Sequence, residues 1–167
     1  MNNTNVTYST LNAQQRNKRG ALVDRGANWG IAGSDTCIIN THPTRKVDIQ
    51  GIDNHQLPDI PIVTAGVVVK TQRGDVILVM NQYASVCTGK TIHSSGQLEA
   101  FGNNVDDKSV KTGDYQRLIT PDGYIIPLQV RNGLVYIDMR PYTDMEKNNL
   151  PMILSLIHIW RCRRCSW

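Results

Sequence analysis

The fold class this sequence predicts is mainly β, and three observations predict it. Its apolar segments are short and rich in Val, Ile and Thr, residues that pack well on a pleated, half-buried surface. Thirteen glycines and seven prolines, scattered along 167 residues, interrupt any long helical pattern. Asn132-Gly133 stands between two apolar runs, a strong hairpin signal because both central residues of a type I′ turn need positive φ. A hydrophobic content of 40% is enough for a real core.

The elements follow in order. Residues 1–19 are polar, rich in Asn, Thr and Gln, with Arg16, Lys18 and Arg19 near the end, and read as a solvated linker. From Ala21 the texture changes to strands expected at 21–23, 36–39, 46–52, 60–71 and 76–83, with Gln72-Arg-Gly-Asp75 as the turn of the last pair. Residues 94–101, Ser-Ser-Gly-Gln-Leu-Glu-Ala-Phe, are the single expected helix, with serines at its start. Residues 103–114 read as polar loop. Strands are expected again at 116–120, 124–130 and 134–139, separated by the turns Pro121-Asp-Gly123 and Arg131-Asn-Gly133. Residues 144–152 read as a linker.

Charge and cysteine content exclude several classes. The net charge is +4, but Arg161, Arg163 and Arg164 fall in the last seven positions. Without them 15 basic residues face 14 acidic ones, a net charge of +1. The body is therefore not basic, and with Phe101 as its single phenylalanine it offers no stacking platform for nucleic acid. No apolar run approaches the roughly 18 residues of a membrane span, and Met1 is not followed by a charged-then-apolar start. The segment 153–167 resembles a translated sequencing adapter of the transposase type, in Leu154-Ser-Leu-Ile-His-Ile159 and Arg161-Cys-Arg-Arg164, with Trp160 where the adapter has a stop codon. No part of the fold is expected from it. Cys37 and Cys87 then remain, and two isolated cysteines point to a reducing compartment.

One motif carries chemistry. Leu22-Val23 lead into Asp24, then Arg25, Gly26 and Ala27. A strand delivers the carboxylate, and a glycine two residues on lets the chain turn away so that the carboxylate stays uncrowded. Peptide hydrolysis by this route needs two carboxylates sharing one proton, one acting as base toward water and the other as acid. Their pKa values belong to the pair. Asp122-Gly123 lacks the preceding apolar pair, so the second carboxylate must come from another copy across a two-fold axis.

The stretch Ala21-Leu-Val-Asp-Arg-Gly-Ala-Asn-Trp-Gly-Ile-Ala-Gly33 resembles the Asp-Ser-Gly-Ala opening of the retropepsin-like protease in copia-type retrotransposon polyproteins. Lys46-Val-Asp-Ile-Gln-Gly-Ile52 occupies the place of that family's flap strand. Thr91-Ile-His-Ser-Ser-Gly-Gln-Leu98 resembles the Asn-Leu-Leu-Ser-Val-Ser-Gln-Leu segment near the end of its protease domain. The stretch 122–136 resembles the hairpin leading toward the pre-integrase region. The likeness spans about residues 20–143 and implies a closed β domain at 20–110, half of a dimeric aspartic protease, followed by a hairpin segment at 111–143. It implies a homodimer that cleaves its own polyprotein as peptide substrate inside a cytoplasmic virus-like particle, with Asp24 catalytic, Arg25, Gly26 and Ala27 shaping the loop, and no cofactor. Arg25 departs from the pattern, which has Ser or Thr there. A guanidinium beside the dyad would favour ionised carboxylates and oppose the shared proton. The alternative is therefore an inactive structural or relic segment of the same polyprotein.

Two other constellations stand in the sequence. Ala84-Ser-Val-Cys-Thr-Gly-Lys-Thr91 fits a relaxed phosphate-binding loop, with Lys90 on phosphate and Thr91 on magnesium, but it has one glycine and no βαβ context. His42, His55 and His93 with Cys37 and Cys87 lack paired-ligand spacing, so no metal site is expected.

Overall fold

A computed structural model describes residues 20–51 and 55–154. The expected linker at 1–19, the end of the expected flap strand beyond Gly51, and the adapter-like tail past Leu154 lie outside the described residues.

Within them the chain is mainly β. In order come β1 (Ala21–Asp24), β2 (Ile31–Ala32), β3 (Cys37–Gln50), β4 (Gln56–Thr71), β5 (Gly74–Ser85), β6 (Ile92–Ser94), the helix α1 (Ser95–Ala100), β7 (Asn104–Asp106), a 3₁₀ turn (Val110–Thr112), β8 (Arg117–Ile119), β9 (Ile125–Arg131), β10 (Leu134–Ile137), β11 (Met139–Arg140), the helix α2 (Asp144–Asn149) and β12 (Met152–Leu154). The strands form one mixed sheet in the order β11-β4-β5-β2-β6-β1-β10-β9-β8-β7, with β3 added to β4 and β12 to β5. The sheet is open, not the closed domain expected from the sequence.

The long hairpin β4–β5 is paired from Ile62↔Ala84 to Thr71↔Gly74. Val67, Val69, Val76, Leu78 and Met80 of this hairpin join Ala21, Leu98, Leu118, Ile126 and Ile137 in the main core. Its opposite face carries Val68, Ile77 and Val79, covered by Tyr142 and Leu150. Both faces are covered, which is why 62–69 and 76–80 read as near-continuous apolar runs rather than alternating ones. Asn132 and Gly133 both take positive φ, 50° and 78°, as the predicted hairpin turn requires.

Four sequence expectations are corrected. The strands expected at 36–39 and 46–52 are parts of a single β3, which keeps one pairing partner across an irregularity at 42–45. The polar loop at 103–114 contains β7, paired to β8. The strand expected at 134–139 divides at Asp138: β10 pairs β1 and β9, whereas Met139 and Arg140 pair Val69 and Val68 of β4. The expected linker holds α2, whose Thr143 and Glu146 form a reciprocal capping box. Beyond it β12 runs parallel to β5, with Ile153 buried at 3% exposure. Strand pairing also joins the expected hairpin segment to the expected protease segment, since β10 lies directly against β1. No helix among the described residues is long and apolar enough to cross a membrane.

Candidate active site at the Asp24 loop

Asp24 ends β1, a strand flanked on both sides. β10 pairs it antiparallel at Ala21, Leu22 and Val23. β6 pairs it in parallel, with Leu22↔Ile92, Val23↔His93 and Asp24↔Ser94. Ala21 and Val23 point into the core, and the half-buried Asp24 emerges where pairing stops. Its Oδ1 accepts the Gly26 N–H at 2.7 Å, a turn closed by the aspartate itself. Oδ2 makes no hydrogen bond within the described chain.

Much of the hold on the loop after Asp24 comes from 94–99. Ser94 caps α1 by accepting the Gln97 N–H, and its hydroxyl donates to the Ala27 carbonyl at 2.6 Å. Gln97, itself buried, accepts the Gly30 N–H at 2.8 Å. Gly30 lies against the Tyr83 ring so closely that any side chain there would overlap it. Tyr83 is fully buried and its hydroxyl meets His93 Nδ1 at 2.8 Å. Burial raises the Tyr83 pKa and lowers that of His93 to about 4, so the pair is neutral and acts as a fixed post beneath the loop.

Arg25 does not face Asp24. Its guanidinium lies against Glu99 of α1 at 3.0 Å and Asp107 at 2.9 Å, with a further bond to the Val105 carbonyl at 3.3 Å. Hydrogen bonding to Asp107, then to Glu99, raises its pKa. A cation with two acidic neighbours has much of its field compensated locally.

The long hairpin of β3 and β4 extends past the body of the sheet. A cavity of about 510 Å³ lies between it and the loop, lined on one side by Asn28, Trp29 and Gly30 and on the other by Arg45, Val47 and Ile49. Trp29 is 45% exposed, and its Nε1 donates to the Gln82 carbonyl at 2.5 Å. The cavity is thus walled by the chain that follows Asp24 and roofed by a hairpin, an arrangement able to take an extended peptide.

Comparison with known proteins returns no match among family models, curated proteins or solved structures.

Of the sequence candidates, Asp24, Gly26 and Ala27 converge at one loop, and Arg25 points away from it. The stretch expected to be the flap, 46–52, supplies Val47 and Ile49 to the cavity. The segment weighed as a phosphate loop leads from β5 into β6 rather than into a helix. Lys90 Nζ donates to the Gly20 carbonyl, and Thr91, fully buried, gives its hydroxyl to Asp35 at 2.6 Å. No group of three potential metal ligands occurs among the described residues. His93 is in the core, and Cys37 Sγ donates to the Tyr142 carbonyl at 3.6 Å. Sequence reading missed the holding roles of Ser94, Gln97, Glu99 and Asp107. The start of α1 was legible as a serine cap, but nothing local to it named the loop it would hold.

Proposed function

We propose that this chain supplies one half of a dimeric aspartic endopeptidase of the copia retrotransposon type, with Asp24 as its catalytic carboxylate. The observation that carries the reading is the parallel pairing of β6 with β1 at Asp24↔Ser94. It joins the two segments whose sequences resemble the start and the end of that protease domain, and it lets the cap of α1 hold the Asp24 loop. The cavity between the hairpin and residues 28–30, a few positions past Asp24, is a second support, since it offers room for a peptide.

In this reading two Asp24 carboxylates meet across a two-fold axis and share one proton. The ionised member takes a proton from water as that water attacks the scissile carbonyl, while the protonated member donates to the carbonyl oxygen. Gly26 N–H, bonded to Asp24 Oδ1, fixes the orientation of that carboxylate. The polyprotein that bears the domain is the substrate.

A second reading is favoured by Arg25, which replaces the family's hydroxyl residue and binds its own subunit: a folded polyprotein segment without protease chemistry. One experiment separates them. The full chain and its Asp24→Asn variant are incubated with an unstructured protein such as reduced casein between about pH 4 and 7, with and without pepstatin. Cleavage that pepstatin blocks and Asp24→Asn abolishes is the expected result. Absence of cleavage, or cleavage indifferent to Asp24→Asn, overturns the protease reading.

A further inference from the structure

The wall of the cleft contains two coincident bulges. On β3, Thr41 pairs with Val63 and Lys46 with Pro61, so residues 42–45 stand opposite the single residue Ile62. On β5, Val63 pairs with Tyr83 and Ala65 with Met80, so Asn81 and Gln82 stand opposite Thr64. Gln82 has a φ of 60°, which turns its carbonyl to the Trp29 indole. Bulges re-aim side chains and open a sheet locally. Here they open two adjoining cavities, of about 280 and about 510 Å³, which share Arg45, Ile62 and Gln82.

The β3 bulge is a built feature. His42 Nδ1 accepts the backbone N–H groups of Thr44 at 3.3 Å and Arg45 at 2.9 Å. That leaves the ring proton on Nε2, so His42 offers a donor to the smaller cavity it lines. Pro43 has no N–H to leave unpaired in the bulge. Among the described residues the Arg45 guanidinium makes no ion pair and no hydrogen bond. The acidic residue in the larger cavity, Asp48, is engaged by the Asp59 N–H at 2.9 Å, and Asp59 is in turn paired with Lys46 at 3.7 Å. A solvent-facing guanidinium at the junction of two cavities, beside an imidazole N–H and the amide of Asn40, matches a carboxylate.

We propose that the bulged cleft selects an acidic side chain in an extended peptide, with Arg45 as the residue that determines this specificity. The inference takes from the protease reading that the cleft receives peptide. It adds that the favoured polyprotein sites carry Glu or Asp near the scissile bond, on the side that meets the β3–β4 hairpin.

The test uses the full chain as Asp24→Asn, so that nothing is cleaved, and fluorescently labelled capped peptides: Ala-Val-Glu-Leu-Ala amide and its Gln counterpart. Binding is read by anisotropy at low ionic strength. The Glu peptide is expected to bind about tenfold tighter, the scale of one charge-assisted bidentate contact. Added Arg45→Gln removes the preference, and Arg45→Glu turns it toward a Lys peptide. A Gln peptide with a free C-terminal carboxylate separates side-chain recognition from capture of a chain end. Equal binding of the Glu and Gln peptides, no binding of either, a preference that survives Arg45→Gln, or tight binding of the free C-terminus alone each overturns the proposal. Glu-selective binding without Asp24-dependent cleavage leaves this specificity standing and removes the protease, whereas Asp24-dependent cleavage without Glu selectivity does the reverse.

Discussion

Arg25 and His93 show how single residues here are decided by what surrounds them. Arg25 is about half exposed and spans Glu99 and Asp107, so each ion pair contributes at most about 1 kcal/mol to stability. Its importance lies in direction, since it ties the loop after Asp24 to α1 and the end of β7. In Arg25→Ser the whole domain should therefore lose little stability in urea, while the Gly26 and Ala27 amides exchange several-fold faster by hydrogen exchange. Unchanged exchange would remove the tie. His93 acts through burial. Its pKa falls from 6.5 in the unfolded chain to about 4 in the fold. Between those values the unfolded state binds more protons, so stability is full above about pH 6.5 and declines as pH falls toward 4. The total loss is roughly 3 kcal/mol. His93→Gln, which keeps a hydrogen-bond acceptor for Tyr83, should flatten that acid limb in urea titrations taken across the window. The core histidine therefore gives the fold an acid limit to its stability.

At the scale of elements, the closing segment 141–154 is a structural part of the sheet. Tyr142 and Leu150 cover Val68, Ile77 and Val79, and α2 between them is held by its capping box and by Arg140, which pairs with Glu146 at 2.5 Å. That pairing and the cap hold Glu146 at about 2, well below its ordinary value. Thr143→Ala removes the cap and should cost about 1 kcal/mol, seen as a lower Tm. β12 is the stronger test. Ile153 is buried beside β5, so Ile153→Ala should cost about 2–4 kcal/mol in urea unfolding. A cost near zero would detach β12 from the sheet. The segment was legible only in part: Thr143-Asp-Met-Glu146 is a capping-box signature, yet six helical residues without an apolar stripe look like loop when nothing shows the surface they adjoin.

For the whole molecule, the proposed chemistry requires two copies. Specific activity should rise with concentration and level off as the dimer forms, while sedimentation shows the same midpoint. Activity per chain that stays constant through dissociation would exclude a shared dyad.

What the sequence determined was local. Asn132-Gly133 made a turn because few other dipeptides take two positive φ values, Ser94 capped a helix, and the runs at 60–71 and 76–83 became the β4–β5 hairpin because turn residues separate two strongly β-prone segments. Asp24, Gly26 and Ala27 were visible for the same reason, as a turn written in consecutive residues. What only the tertiary structure decided was long-range. The parallel pairing of β6 with β1 joins residues some seventy positions apart, and no periodicity records which strand a parallel partner will choose. The continuity of β3 through His42 and Pro43, the departure of Met139 for β4, and the turn of Arg25 toward Glu99 and Asp107 rest on partners distant in sequence. Backbone preferences act over a few residues, whereas the direction of a charged side chain is settled by whichever opposite charges the fold brings within reach.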